Sequence, residues 1–532
     1  MIEHLFDWRN GWSDMVTSGD WPRLASRGLI APMAEARHTR RRFPALLSAV
    51  LAAAVLLPLT APPSADAADP GIAPRADVES FLSHQVYGYL PYWRLNAGTA
   101  GQLDYDLLST IAFFGLGIKA DGNIDMAWRG SVAYMSDNAV AVTNAAHAKG
   151  VRVVPTFQLF DPGSLPKMTA FLDSRTAQDR FIAQALDLMA RRSADGANFD
   201  FEPMPASMTA RYLSFLARFN TAMDARFPGA TLVNASSAGA PSELITGLVP
   251  IVDQQFVMTY NYRWSGSTVT GAIAPLDHAS RNVKIHMNRF MAYAPKEKLI
   301  LGVPYYGYDW PVTSTVPNAT VRADKAKFGA VRSVTYASSR DYLAANPYVV
   351  RYYDALEGSS FYSYWDPSHL TYRQVYFEDE RSAAAKYEYA ITTGLGGVGI
   401  WTLGNDAGYT EMWDALEVFY APNHDVAVSG SISTISRLSG SVRAYLDYSV
   451  KNLGDVPERG AIRWRVRNSD GRQVAHGTVT TTTVGIAKTR AGTAIIVLGS
   501  AADLPAGKLT VEVFFVTDVV YASAPTDFRQ PF

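Results

Sequence analysis

Eight short runs rich in Val, Ile, Tyr and Phe recur through the middle of this chain, and their spacing leaves few folds open. They are Val86 to Tyr89, Thr110 to Gly115, Val151 to Thr156, Ala197 to Phe201, Thr231 to Ala235, Phe256 to Tyr260, Leu299 to Tyr305 and Val398 to Leu403. Runs of this length and composition read as buried strands. Between them lie helix-like stretches such as Ser136 to Lys149, Ala177 to Ala190, Ala206 to Phe227 and Arg281 to Ala292. Strands alternating with helices give a parallel sheet, and eight such units close into an α/β (β/α)8 TIM barrel, expected over residues 80–421. A doubly wound open sheet is the alternative. Against it, the first run leads into Gly88-Tyr89-Leu90-Pro91-Tyr92-Trp93, aromatic where a nucleotide-binding turn needs small residues.

The seventh and eighth runs are about ninety residues apart, where a loop and helix take about twenty to thirty. A small α+β insertion between strands seven and eight is therefore expected at about 311–380, rising from the catalytic end of the barrel as one wall of a cleft. After Ala421-Pro422-Asn423 the pattern changes to alternating strands, as in Ser441 to Lys451, Ala461 to Arg467, Thr478 to Thr482, Thr493 to Leu498 and Leu509 to Val516. This predicts a C-terminal immunoglobulin-like β-sandwich over residues 424–532. Its role stays open between binding carbohydrate and acting as a spacer; its one tryptophan, Trp464, falls mid-strand, where a core position is equally suited.

Composition narrows the partners. A formal net charge of -1 gives no electrostatic ground for a nucleic-acid partner, and a neutral ligand fits better. With no cysteine in the chain, thiol nucleophiles, zinc thiolate sites and disulfides are excluded. No metal-ligand spacing stands out among the nine histidines, so neither metal nor organic cofactor is expected. Aromatic residues make up 12% of the chain, enough to stack on sugar faces as well as to fill a core. Near the N-terminus, Arg37, Arg40, Arg41 and Arg42 precede an apolar run from Phe43 to Leu59 and then Ala65-Asp66-Ala67, the pattern of a secretory signal peptide over residues 33–67. Translation is then expected to start at Met33, leaving residues 1–32 upstream. The stretch Thr39 to Phe43 also loosely fits a twin-arginine signal, which leaves the export route open. The apolar run is short for a membrane span and Pro58 interrupts it. The expectation is an exported monomer, secreted or associated with the cell wall, without stable membrane association.

The chemistry concentrates in Asp195-Gly196-Ala197-Asn198-Phe199-Asp200-Phe201-Glu202. Side chains alternate along a strand, so Asn198, Asp200 and Glu202 share one face and Phe199 and Phe201 the other. An inward row of carboxylates is costly unless each charge is paired or used. Two such carboxylates repel, which raises the proton affinity of the pair and lets Glu202 keep a proton to donate.

This run resembles the DxxDxDxE signature of family 18 glycoside hydrolases, the chitinases and their relatives, at Asp195, Asp200 and Glu202. Met258-Thr259-Tyr260-Asn261 resembles the family's MxYD, and Leu301 to Gly307 and Gly394 to Trp401 resemble its seventh and eighth strands. The resemblance covers roughly residues 84–420 and implies an enzyme acting on polymers of β-1,4-linked N-acetylglucosamine, with a polysaccharide as its partner. It further implies substrate-assisted retaining catalysis, in which the sugar's 2-acetamido oxygen attacks the anomeric carbon. On that pattern Glu202 protonates the leaving oxygen, Asp200 holds the acetamide N–H, Tyr260 orients its carbonyl and Trp401 floors the pocket. Met258, Tyr89 and Phe113 are further candidates for the same pocket, with core packing the alternative for Tyr89 and Phe113. Trp93, Trp264 and Trp310 are candidates for stacking on neighbouring sugars.

Two positions depart from the family pattern. Asn198 and Asn261 stand where aspartates are usual, and asparagine keeps the hydrogen bonding while dropping the charge. Fewer negative neighbours should lower the proton affinity of Asp200 and Glu202, so an activity optimum at lower pH than in relatives with both aspartates is expected. Asn198, with the wording of Val375 to Ser382, also resembles the branch acting on spore and cell-wall peptidoglycan. The alternatives to a chitinase are therefore a peptidoglycan N-acetylglucosaminidase and a catalytically inactive chitin-binding lectin on the same fold.

Overall fold

The structure is a computed structural model that describes residues 71–76, 82, 84–278, 280–420, 426–438, 440–454, 458–469, 473–485, 487–500, 508–516 and 521–529. The expected signal peptide, residues 33–67, and the segment before it lie outside the described residues. Among the described residues no helix is long and apolar enough to cross a membrane.

Eight parallel strands form a closed barrel: β1 (Gln85–Pro91), β2 (Thr110–Gly117), β3 (Arg152–Phe160), β4 (Gly196–Glu202), β5 (Thr231–Ser237), β6 (Gln254–Met258), β7 (Leu299–Pro304) and β13 (Gly397–Trp401). β13 closes the ring between β7 and β1. The two faces of each strand serve different cores. Tyr87, Tyr89, Ala112, Phe114, Val154, Val233, Phe256 and Ile300 fill the barrel interior. Outward residues such as Phe157, Phe199 and Phe201 pack against Phe181, Phe215 and Phe219 of the surrounding helices. Those helices start where the sequence supplies caps: Ser136, Ser174 and Asn282 accept from Ala139, Ala177 and Ile285 backbone N–H groups. The helix Glu380–Thr393 starts in an Asp379/Ser382 capping box and ends at Gly394, left-handed at φ 76°.

The long interval holds an antiparallel sheet of five strands: β8 (Tyr306–Val312), β9 (Arg332–Thr335), β10 (Tyr352–Asp354), β11 (Ser359–Asp366) and β12 (Thr371–Phe377), in the order β10-β11-β12-β8-β9. Only Tyr305 separates β7 from β8, so the sheet begins five residues earlier than the spacing suggested. Asp309 ties it together, accepting from Arg373 Nε at 2.8 Å, Arg332 at 2.6 Å and the Tyr364 hydroxyl at 2.9 Å. Behind it, Lys386 Nζ meets Glu378 at 2.6 Å with both side chains fully buried.

The remaining strands make two antiparallel sheets: β14 (Val426–Leu438), β15 (Ser441–Asn452) and β18 (Thr489–Ser500) in one, and β16 (Glu458–Arg467), β17 (Gln473–Val484), β19 (Lys508–Val516) and β20 (Tyr521–Arg529) in the other. Their shared core contains Val442, Leu446, Ile462, Val466 and Phe515 together with Trp464, which is buried and offers no face to a sugar.

Candidate active site

Strand β4 is buried along its whole length, and its alternation places Asn198, Asp200 and Glu202 on the inner face. Asn198 is the deepest of the three: its amide donates to Thr156 Oγ1 at 3.1 Å and its oxygen accepts from the Tyr89 hydroxyl at 3.3 Å. Asp200 and Glu202 follow toward the C-terminal end of the barrel, 4% and 5% exposed. Burial pushes Asp200 up to about 7, partly offset by a hydrogen bond with Glu202. Burial also raises Glu202 well above the usual carboxylate range, and the Asp200 charge and the shared hydrogen bond add to it. Both carboxyls therefore bind a proton more tightly than an exposed carboxyl does, and the Asp200 charge adds to this at Glu202. Mutual repulsion, the cause expected from the sequence, is the smaller contribution; desolvation is the larger. Asp200 Oδ1 has no hydrogen-bond partner, a buried acceptor awaiting a donor.

Apolar rings wall this carboxyl pair. Trp401, the last residue of β13, meets Phe114 at 4.9 Å, Tyr89 at 5.4 Å and Trp93 at 6.4 Å between ring centroids, all edge-on. Tyr260 and Met258 pack against the same interior cluster. Tyr260 lies two residues past the end of β6, and burial with the nearby Asp200 and Glu202 charges keeps its phenol protonated. Asn261 takes the left-handed conformation at φ 60°, which asparagine tolerates better than most residues. Its Oδ1 accepts from the hydroxyls of Tyr306, at 2.6 Å, and Tyr308, at 3.2 Å, so the departure from the family's aspartate is filled by neutral hydrogen bonds to the inserted sheet.

Two sequence expectations are corrected, those for Phe113 and Trp310. Phe113 does not reach the pocket: it packs outward on Tyr134 at 5.0 Å, and Phe114 takes the inner position. The reason is strand parity, since Ala112 and Phe114 face inward and Ile111 and Phe113 outward. Trp310 is fully buried in β8 and donates from Nε1 to the Trp264 carbonyl at 3.1 Å, so it offers no stacking face. Asp195 is separated from the carboxyl pair along β4. It accepts from Arg75 Nε at 2.9 Å and from the Val153 backbone at 2.8 Å, with His147 Nε2 3.0 Å away, and anchors the segment before β1. Gln158 was missed although alternation signals it: Val154, Thr156 and Phe160 of β3 face inward, and Gln158 lies between them, opposite Asp200 in the β3–β4 register.

Among the described residues no group of three or more His, Asp or Glu could hold a metal ion. The arrangement sets a buried carboxyl of raised proton affinity beside an unpaired carboxylate oxygen among aromatic rings, groups able to give a proton and to accept an N–H or O–H.

Comparison with known proteins agrees with this geometry. The profile of Glycosyl hydrolases family 18 matches residues 163–406. A putative sporulation-specific glycosylase of Bacillus subtilis (strain 168) is 25% identical over 353 residues, 63% of this chain and 78% of that protein. The cortical fragment-lytic enzyme of Bacillus anthracis is 25% identical over 44% of this chain and 52% of its own length, and the human di-N-acetylchitobiase 26% identical over 51% and 74%. Among solved structures, the Ostrinia furnacalis Group IV chitinase with allosamidin superposes at a TM-score of 0.56 and 20% identity, covering 63% of this chain and 98% of that one. The Bacillus cereus spore cortex-lytic enzyme SleL gives 0.51 at 20% identity, covering 63% and 73%. Profile, relatives and fold converge on one family: residues 163–406 match glycosyl hydrolase family 18, a family of glycosidases, and the barrel is similar to theirs.

Proposed function

We propose that this chain is an exported glycosidase that cleaves glycans of β-1,4-linked N-acetylglucosamine by substrate-assisted, retaining catalysis. The observation that carries the reading is the unpaired Asp200 Oδ1 beside the buried Glu202, with Tyr260 and Trp401 packed against the same barrel interior. Asp200 accepts the N–H of the 2-acetamido group, and the Tyr260 hydroxyl donates to its carbonyl oxygen. That oxygen then attacks the anomeric carbon as Glu202 gives its proton to the departing glycosidic oxygen. The oxazolinium so formed is stabilised by the Asp200 charge. Glu202, now ionised, takes a proton from water as it opens the ring, restoring the sugar with its original configuration. Trp401 supports the apolar face of the reacting sugar.

The names of the relatives favour a second reading of the polymer. A sporulation-specific glycosylase and a cortical fragment-lytic enzyme stand beside a chitobiase, so peptidoglycan glycan strands are the alternative to chitin. Glu202→Gln tests the mechanism: turnover of a chitin oligosaccharide should fall at least a thousandfold while binding persists, and unchanged turnover overturns the assignment. The product profile on chitin oligosaccharides beside purified peptidoglycan decides the polymer.

A further inference from the structure

Gln158 is a buried amide that the reaction outlined above does not use. It is 7% exposed, its Oε1 has no hydrogen-bond partner, and among the described residues no group bonds either end of its amide. Leaving such a group unpaired is costly, so an unpaired amide at the open end of a barrel points to a ligand group that completes it. The surroundings are shaped to keep it there. A side chain at Gly115 would place its Cβ 2.6 Å from Gln158 Oε1, so glycine at 115 leaves the amide its space.

The register fixes its neighbour. Gln158 is paired with Asp200 across adjacent parallel strands, about 4.8 Å apart, and both side chains point into the barrel. Two buried groups, the Asp200 Oδ1 acceptor and the Gln158 amide, are thus unpaired side by side. They call for adjacent partners on one ligand: a donor for the carboxylate, and for the amide a group that both donates and accepts. In a 2-acetamido sugar the N–H is on C2 and a hydroxyl is on C3, the next ring carbon.

We infer that Gln158 binds the 3-hydroxyl of the reacting sugar and so selects N-acetylglucosamine over a sugar whose O3 carries a lactyl ether. This rests on the proposed N-acetylglucosaminidase reading and sharpens it. On a peptidoglycan strand the sugar in the pocket is then the glucosamine residue, because an ether at O3 can accept but not donate, and its bulk falls against the Gln158 amide.

The test pairs the Gln158→Ala variant with a chromogenic chitobioside in which the reacting sugar is intact or 3-deoxy. For the wild type, removing the hydroxyl should lower kcat/KM about ten- to a hundredfold. Gln158→Ala should lose a similar factor on the intact substrate and less than about threefold more on the 3-deoxy one, because their shared hydrogen bond is already gone. Equal losses on both substrates overturn the role of Gln158, as does a wild type indifferent to the 3-hydroxyl. A wild type that turns over neither chitobioside nor purified peptidoglycan overturns the proposed function itself. Gln158→Met, of similar volume, replaces the alanine variant if the latter fails to fold, and is held to the same outcomes.

Discussion

Substituting Asn198→Asp puts back one of the two charges this chain lacks relative to the family pattern, and the structure sets the size of its effect. Positions 198 and 200 share the inner face of β4, two residues apart, so the side chains are separated by about 6.6 Å of strand rise. At an effective dielectric constant of about 20, two unit charges at that distance repel by about 2.5 kcal/mol, close to two pK units. The new carboxyl would itself be partly protonated, so a shift of about one unit is expected. The sign follows directly: added negative charge favours protonation of the Asp200/Glu202 pair, so both limbs of the kcat/KM profile should move toward alkaline pH. The replacement keeps the shape of Asn198, and the Tyr89 hydroxyl that donates to Asn198 can donate to a carboxylate. The assay is the pH dependence of kcat/KM on a fluorogenic N-acetylglucosamine oligosaccharide, for wild type and variant in parallel. Limbs that stay within about 0.3 unit of wild type in a folded variant, or that move toward acid, refute the claim that neutral Asn198 holds down the proton affinity of the pair.

Other outcomes follow from the same geometry. Asp200, raised from 3.8 to about 7, is a carboxyl whose folded form binds protons more tightly than the unfolded chain, so it lowers stability as pH rises from about 4 through 7. Asp200→Asn should therefore stabilise the protein at pH 8 by about 2 to 4 kcal/mol, with little gain near pH 4, measured by urea denaturation at both values. Phe113→Ala should cost about 3 to 5 kcal/mol with turnover per folded molecule retained. Phe114→Ala should impair kcat/KM at least tenfold, because its ring meets Trp401; thermal melts and kinetics on the pair would expose an exchange of these roles. Lys386→Met leaves Glu378 buried without its cation and should destabilise by about 3 to 5 kcal/mol, with much of the loss regained in Lys386→Met/Glu378→Gln, as denaturant midpoints would report.

Several features could be taken from the sequence because they depend on local pattern. The eight strand runs each fall on a barrel strand, since burial on both faces selects the same β-branched and aromatic residues everywhere. The inward row Asn198, Asp200, Glu202 follows from period-two alternation alone. Alternation also holds the correct reading of β2 and β3, but it needs a reference point, and only the closed barrel supplies one. Without it Phe113 and Phe114 are equivalent aromatics on one strand, and Gln158 is a polar residue with no reason to face Asp200.

What the sequence determined by itself was therefore the kind of fold and the inward row of carboxyls on β4, because strand period, helix spacing and the DGANFDFE run are properties of neighbouring residues. What only the tertiary structure decided was which groups surround those carboxyls and in which direction their proton affinity moves. The desolvation that raises Asp200 and Glu202, the hydrogen bonds from Tyr306 and Tyr308 to Asn261, and the unpaired amide of Gln158 all come from strands distant in sequence. Desolvation and hydrogen bonding act through space, so they exist only once barrel closure has brought those strands together.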